Sequence, residues 1–246
     1  MKQDVLKHVI DCQTHKVEEV SQAIINEMPI TIYVNDDVID TLMCIPNELE
    51  NLIIGYLFNA YMIMSKEDIK SIIIDYDKGL AYVEIEGVVR PVKERYITSG
   101  CATSAVYHNL EDAVRLRFNS LFTSSLALKE LKGLFDDNQE AEFSRVSLSG
   151  DQLLTFRGLN LLNALDKLVG YMVSHHIDPS QKILSFGEPV TSEVILKAIR
   201  IGITVVVSQK SPTSNAIKLA EMHQVLLVEF EDNCINVYSE FDRILI

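Results

Sequence analysis

The sequence predicts an α/β protein in which a small α+β unit comes first and a mainly parallel sheet, covered by helices on both faces, follows. Three observations predict this order. Short apolar strands and one amphipathic helix fill the first third of the chain. Apolar strands alternate with helices in the last third, as they do where helical crossovers join parallel strands. The length of 246 residues, of which 48% are hydrophobic, is enough for one large domain or two small ones.

The first unit is predicted to contain two β-hairpins. Residues 29–34 alternate around apolar side chains, and residues 38–43 form the returning strand after an Asn-Asp-Asp turn. Residues 71–75 pair in the same way with residues 81–85 through a Lys-Gly turn. A sheet of these strands with one helix against it makes a complete two-layer unit.

The helix of this unit is predicted to begin just after Pro46. Asn47 suits the N-cap, and Glu50 stands where it would complete a capping-box-like exchange. Apolar residues then recur at helical spacing and form one stripe: Leu49, Leu52, Ile53, Tyr56 and Leu57. We expect this stripe to pack against the sheet.

The middle of the chain, residues 104–137, has a helical pattern, with Ser124 or Ser125 as the cap of its second segment. A short hairpin then joins residues 143–148 to residues 152–156. The elements of the last third are, in order, a helix near 159–173, a strand at 182–186, a helix at 192–200, a strand at 203–208, a helix at 214–222, and strands at 225–230 and 235–238.

The change of pattern near residue 120 is where we place a domain boundary. The first domain, residues 1–120, then ends in the loop that carries Cys101 and a helix. The second domain, residues 121–246, holds the larger sheet. No linker of low complexity marks the junction.

Composition argues against several classes of function. The formal net charge is −13, and no Lys/Arg cluster offers the phosphate neutralisation on which duplex DNA or long RNA binding depends. No apolar run approaches the roughly 20 residues of a membrane span. The N-terminus has scattered charges instead of the apolar core of a secretory signal. We therefore expect a cytoplasmic protein with no nucleic-acid or membrane partner.

The four cysteines are far apart and form no CxxC pair, which argues against a disulfide framework. Cys12 and His15 have half of a zinc spacing but no second half, so a mobile N-terminal segment is the better interpretation. The His-x-Glu and Pro-Cys-x-x-Cys motifs of zinc deaminases are absent, as are the Walker and GxGxxG loops. We expect no metal site.

Cys101 follows a Ser-Gly turn, between a strand pattern and a helical pattern. It is either a nucleophile presented to a partner or a small apolar residue that fills a core, the commoner place for a free cysteine. His108 could make it a thiol–base dyad, although seven residues across a turn and a helix need not bring two side chains together.

The loop at residues 208–214 is the candidate anion site, because it lies between a buried strand and a helix start. Ser211, Thr213 and Ser214 offer hydroxyl groups there, beside Lys210 and the free N–H groups of the first helical turn. Ordinary helix capping would need Thr213 alone, so anion binding and simple capping both remain open.

Seven blocks of sequence, taken in order, resemble the formate dehydrogenase accessory sulfurtransferase family, FdhD. They are EMPITIYVN (27–35), IPNELENLIIGYL (45–57), TSGC (98–101), NALDKLVG (163–170), SPTSNA (211–216), NVY (236–238) and RI (243–244). The resemblance implies a small N-terminal domain and a C-terminal three-layer α/β/α domain of cytidine-deaminase-like type that lacks the deaminase zinc site.

The resemblance also implies a function in sulfur relay. Cys101 matches the cysteine on which the family carries a persulfide, received from a cysteine desulfurase. The sulfur passes to the molybdenum cofactor, bis(molybdopterin guanine dinucleotide), which enters formate dehydrogenase or another molybdoenzyme. A homodimer is implied as well.

The same resemblance extends the candidate cofactor site beyond Lys210, Ser211, Thr213 and Ser214. A family stretch that contacts the cofactor matches six consecutive residues: Glu229, Phe230, Glu231, Asp232, Asn233 and Cys234. The family's arginine in this stretch is replaced here by acids.

Three departures from the family pattern support an alternative function. Ser104 replaces a second cysteine, RGLNLL at 157–162 replaces a stretch rich in polar residues, and FGE at 186–188 replaces Ser-Gly-Arg. The alternative is a divergent, non-catalytic accessory protein that binds the cofactor or the apo-enzyme without moving sulfur.

Overall fold

The computed structural model describes residues 2–86, 126–127, 144–150, 152–231 and 234–245. Cys101, most of the helical pattern at 104–137 and the boundary near residue 120 lie outside the described residues.

The N-terminus forms a β-hairpin where the sequence favoured a mobile segment. Strand β1 (Lys2–Ile10) pairs antiparallel with β2 (Val17–Ile25) as a separate two-stranded sheet. Cys12 and His15 lie in the turn between the two strands. All side chains from residue 3 to residue 24 are exposed. Neither face of the hairpin is buried, so the sequence shows no alternation of apolar and polar residues that would predict these strands.

A four-stranded sheet follows, and it confirms both predicted hairpins. Strand β3 (Met28–Val34) pairs with β4 (Asp37–Cys44), and β5 (Ile69–Asp75) pairs with β6 (Leu80–Ile85). Because β3 and β6 are parallel neighbours, the order across the sheet is β4-β3-β6-β5. Gly79 closes the second hairpin at a positive φ of 64°, which glycine adopts without strain.

Helix α1 (Leu49–Asn59) buries the whole predicted stripe, together with Ile54 and Phe58. It is buried nearly all round because it shares one core with the sheet and packs along a second helix. The predicted N-cap is wrong. Glu48, at a left-handed φ of 51°, holds the cap position, whereas Asn47 Oδ1 accepts a hydrogen bond of 2.7 Å from Lys167 Nζ.

The C-terminal half contains the predicted alternation of helices and strands. Its elements are β8 (Ser144–Ser149), β9 (Leu154–Gly158), α2 (Leu161–Ser174), β10 (Ile183–Pro189), α3 (Ser192–Ile201), β11 (Val205–Lys210), α4 (Ser214–Met222), β12 (Leu226–Glu231) and β13 (Cys234–Ser239). They form one six-stranded sheet of order β13-β12-β11-β10-β8-β9.

This sheet is mixed, which corrects the expectation of a mainly parallel one. Of its five pairs of neighbouring strands, only β10–β11 and β11–β12 are parallel. The pairs β8–β10, β8–β9 and β12–β13 are antiparallel. Short turns make the last two of these pairs hairpins.

Strand β7 (Leu126–Ala127) pairs parallel with β14 (Ile244–Leu245), so the predicted helix over residues 124–135 is wrong at these two positions. Ile244 joins a second apolar cluster on the sheet face opposite α2, α3 and α4. No α-helix of the described residues contributes to this cluster, so the predicted helical layer on that face stays a prediction. Pairing with the chain terminus overrides the local helical pattern here.

Two glycines bring α1 and α2 into close contact. A Cβ atom at Gly55 would lie 1.8 Å from the Asp166 carbonyl oxygen, and one at Gly170 would lie 1.9 Å from that of Asn51. Only glycine fits at either position. The crossing makes the two halves share one continuous apolar core.

Buried polar groups connect the same helices. Asp166 Oδ1 accepts hydrogen bonds from Lys197 Nζ at 2.6 Å and from Asn59 Nδ2 at 2.7 Å. Lys167 is fully buried and donates to Asn47 and to the Arg157 carbonyl oxygen at 2.9 Å. Burial lowers the pKa of Lys167 below its ordinary value. These bonds fix α1 and α3 on α2.

Candidate functional site

The parallel strands β11 and β12 end side by side, and the loop from β11 leads directly into α4. In open α/β sheets, ligands bind beyond such carboxyl ends. Five polar residues gather there: Lys210, Ser211, Glu229, Asn236 and Tyr238. We call this group the sheet-edge cluster.

Glu229 is the centre of the cluster. It is only 4% exposed, and three side chains donate hydrogen bonds to its carboxylate. Ser211 Oγ lies 2.8 Å from Oε1, while Asn236 Nδ2 and Tyr238 Oη lie 3.0 Å and 2.6 Å from Oε2. Strand pairing explains the arrangement, since Asn236 is the direct neighbour of Glu229 on β13.

These bonds set the charge state of the cluster. The donors, Tyr238 foremost, favour the carboxylate and lower the pKa of Glu229 below its ordinary value. The same bond raises the pKa of Tyr238, because losing its proton would leave two anions in contact. At neutral pH, Glu229 is ionised and Tyr238 is protonated.

Ser208 shapes the loop that carries Ser211. It is fully buried, donates from Oγ to the Glu188 carbonyl oxygen at 2.6 Å, and accepts from the Lys210 N–H at 3.0 Å. The loop after β11 is therefore tied to the end of β10. Within the FGE segment at 186–188, Glu188 thus supplies a backbone acceptor for this loop, and Phe186 is buried in the core.

Thr213 is the N-cap of α4, as ordinary capping requires. Its Oγ1 accepts from the Ala216 N–H at 3.3 Å. The first-turn N–H groups of Ser214 and Asn215 have no acceptor within the helix, as in any α-helix. The helix start thus offers N–H donors to an anion, a few residues from the sheet-edge cluster.

The hydroxyl protons of Ser211 and Tyr238 are both committed to Glu229. Their oxygens therefore present lone pairs to a ligand, and the carboxylate adds negative charge. This chemistry favours a ligand that donates N–H groups and disfavours a phosphate. The sheet-edge cluster and the helix start consequently suit opposite ends of one molecule, an N–H-rich base and an anion.

The predicted site residues are brought together only in part. Ser211 bonds directly to Glu229, and Lys210, Thr213 and Ser214 flank them, all exposed. Phe230 is half-buried and packs on the second apolar cluster. Glu231 and Cys234 are exposed and face each other across β12 and β13. Asp232, Asn233 and Cys101 lie outside the described residues.

The sequence interpretation missed Asn236 and Tyr238 as site residues. Both belong to a block that carried the resemblance, and they are two residues apart on a strand. Residues at that spacing share one face of a sheet, which was the available signal. Their partner on β12 could not be read from the sequence.

Across residues 2–86, 126–127, 144–150, 152–231 and 234–245, no three His, Cys, Asp or Glu side chains are grouped to hold a metal ion. In the same part of the chain, no helix has the length and apolar character to span a bilayer.

Known proteins resemble this chain over nearly its full length. The sulfur carrier protein FdhD of Staphylococcus haemolyticus is 31% identical, covering 99% of this chain and 98% of the relative. That of Geobacillus kaustophilus is also 31% identical, over 89% of each chain.

A crystal structure from Desulfotalea psychrophila, assigned to a formate dehydrogenase accessory protein, has the same fold. Its TM-score is 0.78 at 23% identity, over 99% of both chains. This likeness confirms the α/β fold class. The family model described as FdhD/NarQ matches residues 25–245, which confirms the resemblance inferred from the sequence blocks. The chain therefore belongs to the FdhD/NarQ family.

Proposed function

We propose that this chain carries sulfur, as a persulfide on Cys101, from a cysteine desulfurase to a molybdenum cofactor destined for formate dehydrogenase or a related enzyme. The observation that carries the proposal is the 31% identity to sulfur carrier proteins along 99% of the chain. The retained Ser-Gly-Cys sequence at 99–101 supports it.

The first transfer conserves atoms and charge. The Cys101 thiolate attacks the outer sulfur of the desulfurase persulfide, a new S–S bond forms, and the desulfurase cysteine leaves as a thiolate. Releasing that sulfur to the cofactor as sulfide takes two electrons. A dithiol reductant supplies them as it becomes a disulfide, and Cys101 returns to the thiolate.

The sheet-edge cluster is the proposed binding site for the guanine base of the cofactor. Guanine donates from N1–H and from its exocyclic amino group, which suits the lone pairs of Ser211 and Tyr238 and the charge of Glu229. The phosphates would then lie toward Lys210 and the N–H groups at the start of α4. Asp232, Asn233 and Cys234 remain proposed contacts.

One observation favours the alternative, an accessory protein that binds without moving sulfur. The segment at 157–162 has structural tasks in this chain. The Arg157 carbonyl oxygen accepts from Lys167, and the Asn160 side chain caps α2 by accepting from the Asn163 N–H at 2.9 Å. Neither role requires the polar side chains that the family has in this stretch and that RGLNLL at 157–162 replaces.

The deciding experiment incubates the full chain with a cysteine desulfurase and cysteine and measures intact mass without reductant. We expect one added sulfur atom, located on Cys101 by peptide mapping and lost in Cys101→Ser. Cys234→Ser is the matched control and should still take up sulfur. Uptake equal in wild type and Cys101→Ser, or no uptake, would reject the relay and leave the binding-only alternative.

A further inference from the structure

A groove of about 510 Å³ lies on the outer face of the four-stranded sheet, the face turned away from α1. Its volume is within the range of about 300–1,000 Å³ that ligand sites have. The side chains that give the groove its chemical character are those of Tyr33, Tyr82, Asp36, Glu84 and Lys70. None of them belongs to the sheet-edge cluster or takes part in the proposed sulfur relay.

Two stacked tyrosine rings line the groove. Tyr33 and Tyr82 are register partners on the parallel strands β3 and β6, and their ring centroids lie 5.0 Å apart with 24° between the ring planes. Tyr82 keeps 43% of its surface exposed. The faces of aromatic rings carry partial negative charge and attract cations. The stack therefore favours a ligand with a positive charge.

Two carboxylates beside the rings add negative charge. Glu84 follows Tyr82 by two residues on β6, so both side chains are on the outer face, and Asp36 is in the turn between β3 and β4. Within the part of the chain that the structure describes, neither carboxylate has an ion-pair or hydrogen-bond partner. With Lys70, the groove has two negative charges and one positive charge. One further cation would balance them.

The backbone around the groove is tied in place. Asn35 and Asp36 have positive φ values of 47° and 71°, as in the type I′ turn that suits a two-residue hairpin connection. Asn35 Oδ1 accepts from the Ile85 N–H at 2.9 Å, and Asn35 Nδ2 donates to the Ile85 carbonyl oxygen at 3.3 Å. The turn that carries Asp36 is therefore held beside the strand that carries Glu84.

Apolar side chains continue the tyrosine stack in both directions. Tyr33 pairs with Val38 on β4, and Tyr82 pairs with Ile73 on β5. Val38 and Ile73 are 60% and 63% exposed. This row of four side chains spans three strand spacings, about 14 Å, which is about the length of four residues of extended chain. A ligand that covers the row is thus a short extended segment with apolar side chains at its ends and a cation between them.

We propose that this groove binds an arginine on an extended segment of a partner protein, with apolar residues two positions before and two positions after the arginine. Alternate side chains of an extended segment are on one side, so the two apolar residues contact Val38 and Ile73 while the guanidinium lies against Tyr82. Arginine suits the groove better than lysine, because its planar head stacks on aromatic rings and donates to carboxylates in pairs.

Charge complementarity also favours a basic segment. The chain has a formal net charge of −13, and complementary charge steers the encounter of two proteins and sets which surfaces meet. Asp36 and Glu84 direct that attraction to the groove, where each can accept hydrogen bonds from the guanidinium. The proposal does not depend on the sulfur chemistry of the proposed function.

Binding of a synthetic peptide tests the proposal. The probe, acetyl-Val-Thr-Arg-Thr-Val-amide, is titrated into the isotope-labelled full-length chain, and NMR shifts of the backbone amides report both affinity and position. The matched peptide carries citrulline, which has the shape of arginine without its charge. We expect the citrulline peptide to bind at least about tenfold more weakly, because it loses the cation–π contact and the charge-assisted hydrogen bonds. The lysine peptide should have an intermediate affinity.

Variants of the chain locate the site. Tyr82→Ala and Glu84→Gln should each weaken binding of the arginine peptide at least about fivefold, whereas Tyr82→Phe keeps the ring and should bind as the wild type does. Tyr76→Ala is the matched control, because Tyr76 is 52% exposed but lies in the turn between β5 and β6, outside the groove. It should bind as the wild type does, and circular dichroism should show every variant folded.

Four results would overturn the proposal. They are the absence of shifts at the groove with millimolar arginine peptide, equal binding of the arginine and citrulline peptides, equal binding by Tyr82→Ala and Tyr76→Ala, and binding of N-acetyl-arginine amide as tight as that of the pentapeptide. The last result would show a site for a small cation and not for a protein segment.

Discussion

Lys197 Nζ lies 2.6 Å from Asp166 Oδ1 at a point where the side chains are only 7% and 1% exposed. The pair joins α3 to α2, and Asn59 adds α1 to the same oxygen. Asp166 Oδ2 is buried and has no hydrogen-bond partner among the described residues. Both groups that stabilise the Asp166 carboxylate therefore contact the same oxygen, Oδ1. Loss of the Lys197 ammonium group would leave the buried negative charge without a cation.

Removing that cation should destabilise the protein strongly. Lys197→Met leaves Asp166 buried without a counter-charge, and we expect the free energy of unfolding to fall by about 3–5 kcal/mol. Urea denaturation measures the change. Lys218→Met, on the exposed surface of α4, is the control and should change stability by no more than about 0.5 kcal/mol. Equal stabilities for the two variants would contradict the role of the pair.

The helix crossing predicts a second large loss of stability. Gly170→Ala places a Cβ atom 1.9 Å from a backbone oxygen of α1, so the helices must separate, at a cost of about 3 kcal/mol or more. Gly187→Ala is the matched control, because its Cβ would meet only the end of the Gln209 side chain at 3.3 Å. The midpoint of thermal unfolding should be clearly lower for Gly170→Ala than for Gly187→Ala. Similar midpoints would show that the two helices can move apart at little cost.

The lowered pKa of Glu229 predicts how its contribution varies with pH. Its bonds stabilise the folded protein fully above the ordinary value of 4.5, and that stability is lost as the pH falls through this value toward the lower folded pKa. Glu229→Gln should therefore be less stable than wild type at pH 7, with a gap that narrows below about pH 4.5. Denaturation curves across this range measure the gap, and a constant gap would contradict the assignment.

Nucleotide selectivity tests the sheet-edge cluster. By calorimetry we expect weak GDP binding, and IDP, which lacks the exocyclic amino group, should bind about tenfold more weakly. Glu229→Gln should abolish that preference. Thr213→Ala should weaken both nucleotides alike by about 1 kcal/mol, since it acts at the anion end. Equal binding of GDP and IDP to the wild-type protein would show that the base does not bind at the cluster. The absence of any binding heat would favour an accessory protein that binds the apo-enzyme and not the cofactor.

Thiol reactivity should follow burial. Cys44 is fully buried and burial raises its pKa to about 11, so iodoacetamide at pH 8 should not label it in the native protein. Cys12 and Cys234 are exposed and should react, and we expect Cys101 to react well before Cys44. Peptide mapping over time gives the order. Labelling of Cys101 only after unfolding would show it to be a core residue and end the relay proposal.

Periodicity predicted the elements in which apolar side chains recur at a regular spacing along the sequence. The stripe on α1 and the alternation in β3 and β6 follow periods that are visible without any partner. The N-terminal hairpin was missed because both of its faces are exposed. The N-cap at Asn47 was wrong because Lys167, 120 residues away, takes its side-chain oxygen.

The candidate site was predictable only as a set of separate pieces. The serine and threonine hydroxyls before α4 are recognisable locally, since capping residues precede a helix. The bond from Ser211 to Glu229 spans 18 residues and depends on which strands become neighbours. Strand order follows from the packing of the whole sheet, so Asn236 and Tyr238 could join the site only once that order was known.

The contact between Gly55 and Gly170 also limits how the two halves can move against each other. Sliding either helix along its axis would bring a residue with a Cβ atom against the backbone that each glycine now touches. Turning one helix about the point of contact keeps the glycines together and meets no such obstacle. A movement of one sheet relative to the other that keeps this contact intact would therefore be a rotation about the crossing of α1 and α2 and not a translation along either helix.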